Sequence, residues 1–221
     1  MAYINEKLEE FNKFVFDKIV AIIGMGVSNI PLLDYFFEKG AKVSVFDNRE
    51  ITDENILNKI NNYNFELYTG ENSLDNLKGF DIIFRSPSAM PFKKEIAEEA
   101  KRGAIVTTEI EMVLKLAPCK VIGITGTEGK TTTTTITYEI LKKTGKNVFL
   151  GGNIGKPIFT QVKDIKEDDI IVLEMSSFQL MDMDVSPDIS LVTNIYPDHL
   201  NIHRSYEEYQ EAKKNIFYHQ N

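Results

Sequence analysis

An α/β fold with two parallel-sheet units in series is what the sequence predicts, and three observations carry that expectation. Short apolar runs rich in β-branched residues alternate with segments of helical apolar spacing, a glycine turn (GMGVSN) follows the first run, and a second glycine turn (TGTEGKTT) follows the sixth. The first series of strands is read at KIVAIIGMG (18–26), AKVSVFD (41–47), FELYTG (65–70), DIIFRS (81–86) and GAIVTT (103–108). Helix-spaced segments such as NIPLLDYFFEKG lie between several of these runs, which calls for a parallel sheet with crossover helices. The second series is CKVIGITG (119–126), NVFLGG (147–152), DIIVLEMS (169–176) and ISLVTNI (189–195). Between the two, TEIEMVLKLAP ends in Pro118 and marks the seam, giving expected domains at 1–108 and 109–221. Near the end, SYEEYQEAKKNIFYH reads as a helix with Ser205 as its N-cap.

Composition narrows the setting. Of 221 residues, 43% are hydrophobic and 26% charged, a globular balance. No run approaches the roughly 18 apolar residues of a membrane span, so a soluble protein without membrane partners is expected. The opening MAYINEKLEEFNKFVFDK lacks the continuous apolar stretch of a secretory signal. Cys119, the single cysteine, has no partner for an internal disulfide, and a reducing cytoplasm is the simplest address. A net charge of -8 argues against nucleic acid, so any polyanionic ligand must be met by a local site.

The first unit carries GMGVSN directly after a strand, a G-x-G-x-x-G in which Asn29 takes the third glycine place. Two glycines permit a tight turn, the following helix favours an anion, and Asp47 ends the next strand about 20 residues on, where a ribose contact would sit in a Rossmann-like domain. The missing third glycine weakens a nicotinamide reading, while Arg49 in DNR supplies a cation for phosphate or uracil. A tight turn without a ligand is the plainer alternative.

The second unit departs from a standard P-loop at Ile124, which stands five places before Gly129 where a glycine is usual. Backbone N–H groups from Gly126 to Thr131 can still cradle phosphates, Lys130 can neutralise β and γ oxygens, and the Thr131 hydroxyl can ligate Mg²⁺. Thr132 and its neighbours suit a helix start, where hydroxyls meet unpaired donors or phosphate. The alternative is a Gly-Thr loop that only caps a helix. Glu174 in LEMSSFQL, Asn153 in GGNIGKP and His199 in PDHLNIH each follow a strand, and Glu174 is the best metal candidate. Individually each reads as turn chemistry; together they converge on the carboxyl edge of one sheet.

Taken together, TGTEGKTT, GGNIG, LEMSSFQL, TNIYPDH and EYQEAKKNIF resemble the Mur ligases, most of all those that add D-glutamate, and the likeness spans nearly the whole chain. The resemblance implies peptidoglycan synthesis in the cytoplasm, with a first domain for the UDP of the substrate and a central ATPase domain. It implies that Val27, Ser28, Asp47, Asn48, Arg49 and Ser86 border the UDP pocket, and that Asn153, Ser176 and His199 lie along the muramoyl-alanine arm. Gly126, Thr127, Glu128, Gly129, Lys130, Thr131 and Thr132 would receive ATP. Thr131 and Glu174 would hold one Mg²⁺, and His199 and Lys213 would serve a second, Lys213 after carbamylation by CO₂. Lys130, Glu174, His199 and Lys213 are therefore the expected catalytic set. Two departures stand out: Glu128 where Asn is common, and Ser88 where SPG would supply glycine.

The reaction the resemblance implies is amide formation on UDP-N-acetylmuramoyl-L-alanine, with ATP converting the alanyl carboxylate to an acyl phosphate that the D-glutamate amine displaces. A monomer is expected. The resemblance also places the rest of the central domain and a D-glutamate-binding third domain beyond Asn221, so the 221-residue chain is expected to bind the UDP substrate without forming the amide. A P-loop kinase or NTPase, and a dinucleotide-binding module, are the alternative readings.

Overall fold

The computed structural model describes residues 3–220. It divides into two compact units: Leu8–Glu109, and the residues from Ile110 onward joined by the N-terminal segment up to Lys7. Asn5 ties that segment to the second unit by donating to Leu116 O at 2.9 Å.

Helix α1 (Glu6–Val15) leads into the first sheet, built from β1 (Ile19–Ile23), β2 (Lys42–Asp47), β3 (Glu66–Thr69), β4 (Ile82–Arg85) and β5 (Ile105–Thr107). The crossovers are α2 (Ile30–Glu38), α3 (Glu54–Asn62) and α4 (Lys94–Lys101). All pairings are parallel, in the order β3-β2-β1-β4-β5. Helices cover both faces of such a sheet, which is why IVAII and IIFR are near-continuous apolar runs and not alternating ones. Ala21, Ile23, Phe46, Ile83 and Ile96 form one buried cluster of this core. On α3, Asp53 is the N-cap and accepts from Asn55 N at 2.8 Å, a contact of the kind that contributes about 1 kcal/mol.

The second unit runs α5 (Glu109–Leu116), β6 (Lys120–Thr125), α6 (Lys130–Lys142), β7 (Val148–Gly152), β8 (Ile170–Glu174), α7 (Ser177–Leu180), β9 (Ile189–Val192) and α8 (Tyr206–Lys214). Its parallel sheet has the order β7-β8-β6-β9. The expected α/β class therefore holds, and each of the nine runs contains a strand. The strands are shorter than the apolar runs because tails such as GMG and TG leave the ladder to form turns.

Topology gives both glycine turns the same position. In the first sheet the chain winds outward from β1 through β2 to β3 and then returns to β4 on the other side of β1; in the second, β8 and β9 flank β6. The crevice at the carboxyl end of a strand where the order reverses is where open α/β sheets bind ligands. GMGVSN follows β1 and TGTEGKTT follows β6. Among the described residues, no helix is long and apolar enough to cross a membrane.

Candidate functional site

The turn after β6 is braced first by the segment after β9. Thr127 N donates to Asn194 O at 3.0 Å, Glu128 N donates to Asn194 Oδ1 at 3.0 Å, and Glu128 O accepts from Thr193 Oγ1 at 2.6 Å. Space is so tight that a Cβ added at Gly126, whose φ is +150°, would lie 1.9 Å from Thr193 Oγ1. Glycine is required there by contact as well as by backbone conformation. The Glu128 side chain is exposed, so the unusual carboxylate of this loop lies in solvent. Lys130 folds back and donates to Thr127 O at 2.8 Å.

Of the threonine run, Thr131 makes the site contact. Its hydroxyl donates to Glu174 Oε2 at 2.7 Å, while Asn153 Nδ2 donates to Glu174 Oε1 at 2.8 Å. Glu174 ends β8 and is 1% exposed. Gly152 lets the β7 turn approach: its φ is +92°, and a Cβ there would meet Glu174 O at 2.0 Å. Thr132 is exposed, and Thr134 is buried with its hydroxyl lacking any hydrogen-bond partner. The run thus divides its duties: one hydroxyl for the site, one helix position packed inside.

Lys213, on α8, is only 2% exposed and donates to Gly126 O at 2.8 Å. Its pKa is pushed down to about 8, chiefly by burial, then by the neighbouring Lys130 charge, with Asp198 opposing. Its ammonium also lies 4.7 Å from the centre of the Tyr209 ring, and the Tyr209 hydroxyl is 2.9 Å from Thr127 Oγ1. His199 has a left-handed backbone, φ +53°, and a half-exposed ring 5.2 Å from that of Phe178. Ser176 caps α7 in a reciprocal box with Gln179, accepting from Gln179 N at 3.2 Å.

In the first unit, a cavity of about 170 Å³ opens at the carboxyl ends of the strands, with Gly24, Asp47, Asn48, Arg49, Ser86 and Ser88 in its wall. Asp47 braces the turn: Oδ2 accepts from Met25 N at 2.8 Å and Oδ1 from Arg49 N at 3.0 Å. Asn29 explains the absent third glycine. It donates to Ile23 O at 3.1 Å and Gly24 O at 3.0 Å, so an amide side chain ties the turn to the strand end. Val27 and Ser28 lie on the turn entering α2, Val27 largely exposed.

Comparison with known proteins decides the family. Residues 124–221 match the Mur ligase middle domain, and residues 18–108 match the Mur ligase MurD-like N-terminal domain. The chain belongs to the Mur ligase family. It is 46% identical over 218 residues to a UDP-N-acetylmuramoylalanine--D-glutamate ligase of Clostridium botulinum strain Hall, a match covering 98% of this chain and 48% of the relative. A Clostridium acetobutylicum protein of the same name is 45% identical, with 96% of this chain and 46% of the relative covered. This Mur ligase chain thus spans about half the length of those curated relatives. A solved UDP-N-acetylmuramate:L-alanyl-gamma-D-glutamyl-meso-diaminopimelate ligase from Neisseria meningitides superposes with a TM-score of 0.54 over 92% of this chain and 68% of the other, at 18% identity, a likeness of fold.

Several residues of this Mur ligase site escape sequence reasoning. Thr193 and Asn194 carry the loop, and Tyr209 joins it to α8. His203 is buried, with Nε2 2.9 Å from Ser177 Oγ, its ring stacked on Phe178 at 5.0 Å and edge-on to Tyr209 at 5.2 Å. Nδ1 has no hydrogen-bond partner; Glu208 Oε2 is 3.8 Å away, too far for one. Burial first of all lowers the His203 pKa. The motif TNIYPDH marks Thr193 and Asn194 as polar residues after a strand, but nothing local says which turn they will hold.

Proposed function

We propose that the chain provides the UDP-substrate and ATP-activating units of a ligase that joins D-glutamate to UDP-N-acetylmuramoyl-L-alanine. The observation that carries this reading is the meeting of Thr131, Asn153 and Glu174 at one sheet edge, beside a glycine turn whose two lysines, Lys130 and Lys213, bond to adjacent carbonyls of that turn. The similarity to the two clostridial ligases supports this substrate pair.

The donor set fits Mg²⁺. Among the described residues there is no cage of three or more His, Cys, Asp or Glu side chains. Mg²⁺ is commonly bound by one or two carboxylates together with substrate phosphates, and here the Thr131 hydroxyl and the Glu174 carboxylate offer hard oxygens already in contact. Mg²⁺, when bound, supplies charge neutralisation between phosphate oxygens. Lys130 would turn from Thr127 O to the β and γ oxygens of ATP, a charge-assisted contact stronger than the one it leaves. His199 and Lys213 would serve a second ion. A buried amine with a pKa of about 8 is neutral near pH 7 far more often than an ordinary lysine, and neutral amine plus CO₂ yields a carbamate and a proton, turning a cation into an oxygen ligand.

In this scheme the ATP γ-phosphoryl passes to the alanyl carboxylate, ADP leaves, and the D-glutamate amine attacks the acyl carbon and expels phosphate. The chain's own contribution is positioning and charge, the main components of catalysis in phosphoryl transfer. Calorimetry with UDP-N-acetylmuramoyl-L-alanine and with Mg-ATP tests the reading. Binding of both is expected; ATP turnover with no need for a UDP substrate, or binding of NAD in place of UDP, would overturn it.

A further inference from the structure

The cavity of the first unit has a wall drawn from four strand ends. Glu71 enters from the turn after β3, Asp47 and Arg49 from the end of β2, the Gly24–Gly26 turn from β1, and Ser86, Ser88 and Lys93 from the segment after β4. With strand order β3-β2-β1-β4, these contributions lie in sequence across the pocket: Glu71 at the β3 side, Asp47 and Arg49 beside it at β2, and Lys93 at the β4 side. Asp47 has both oxygens already accepting backbone N–H groups, so its charge is largely compensated within the turn.

Lys93 and Ser88 belong to no ligand set expected from the sequence. Lys93 sits just before α4, is exposed, and makes no ion pair among the described residues; the same holds for Arg49. Other lysines of the unit, Lys78, Lys94 and Lys101 among them, also make no ion pair among the described residues; what sets Lys93 apart is its place in the cavity wall. Ser88 Oγ lies 3.1 Å from Ser86 Oγ, so the residue that interrupts the usual glycine adds a hydroxyl to the wall. A hydroxyl pair and a cation together at the β4 side suit an anion, and a lysine ammonium is a common phosphate partner.

We infer that Lys93, supported by Ser88, is a specificity-determining contact for the diphosphate of a uridine nucleotide whose base lies toward β3. The inference rests on the proposed UDP site. It separates charge recognition at the β4 side from base recognition at the β2 and β3 side, so losing Lys93 weakens diphosphate binding and leaves nucleoside binding untouched.

The test is calorimetry of the 221-residue chain with UDP, UMP and uridine, repeated for Lys93→Ala and Ser88→Gly. One lost charge-assisted contact corresponds to a loss of roughly tenfold or more in affinity. Lys93→Ala is expected to weaken UDP by that factor, UMP by less and uridine not at all, with an unchanged melting temperature; Ser88→Gly is expected to weaken UDP in the same order but by less. Wild-type binding of UDP with no loss in Lys93→Ala, or equal loss for UDP and uridine, overturns the inference and leaves the UDP site standing. No binding of any of the three ligands by the wild-type chain overturns the UDP site and the inference with it.

Discussion

The Thr131 hydroxyl donates a 2.7 Å hydrogen bond to the Glu174 carboxylate, joining the first turn of α6 to the end of β8. The two residues are 43 positions apart in sequence, yet adjacent strands β6 and β8 bring their carboxyl ends together. Asn153 holds the other oxygen of Glu174 from the next strand, so three consecutive strands of the sheet each send one polar group to the same point. A buried carboxylate held this way would meet the proposed Mg²⁺ already oriented.

Glu174→Gln tests that role. The amide keeps the shape and an acceptor for Thr131 but removes the charge. Mg²⁺ should strengthen ATP binding in the wild-type chain and do so far less in the variant, measured by calorimetry with Mg²⁺ and with EDTA. An equal Mg²⁺ effect in both would remove Glu174 from the metal site.

Lys130→Met removes a cation whose bond within the turn is to a single carbonyl, Thr127 O. ATP affinity should fall by at least about tenfold, the scale of one charge-assisted contact. The melting curve should stay in place. Unchanged affinity would end the P-loop assignment.

Lys213→Met should show a pH-dependent stability difference. The folded-state pKa is about 8 against an ordinary 10.5, so between those values the unfolded chain binds more protons than the folded one and wild-type stability rises with pH. Below pH 8 the full cost of the buried charge is present. The variant carries no such cost, so its stability relative to wild type should be highest near pH 7 and decline as pH goes from about 8 to 10.5. Urea midpoints across that range check the slope; a difference independent of pH would contradict a buried, destabilised ammonium.

Thr134→Val should stabilise the protein. The hydroxyl is buried and unpartnered, and valine fills nearly the same volume with a similar helix propensity. A gain of about 1 kcal/mol in chemical denaturation is expected. A loss of stability would mean that the hydroxyl has a partner, such as an ordered water.

Gly152→Ala should cost at least ~2 kcal/mol, because it combines a left-handed backbone with backbone contact. The added carbon would meet Glu174 O at 2.0 Å. Gly145→Ala is the control: φ is also positive, +82°, but nothing lies within 4 Å, so about 1 kcal/mol is expected. Equal losses at the two positions would show that backbone conformation alone sets the cost.

What the sequence determined by itself was everything governed by local pattern. Apolar runs fix strands because both faces of a parallel sheet are buried, and Ser205 fixes the start of α8 because its hydroxyl accepts from Glu208 N at 3.1 Å, as a Ser N-cap does. GMGVSN and TGTEGKTT were legible as tight turns for the same reason: their glycines permit backbone that other residues cannot adopt. Tertiary structure decided which distant groups serve those turns. Asn29 is the nearby exception: it reads as a defect in a glycine motif until its amide is seen bonded to Ile23 O and Gly24 O, six and five positions back. His203 and Tyr209 read as ordinary aromatic positions until packing places them between Phe178 and Thr127. Lys213 has the spacing of a solvated helix lysine, and only its burial against Gly126 O, beside a second ammonium, makes its charge costly. Spacing specifies conformation through interactions a few residues long, whereas burial and electrostatics depend on what the sheet brings alongside from 40 to 90 positions away, as with Thr131 and Glu174 at 43 and Lys213 and Gly126 at 87.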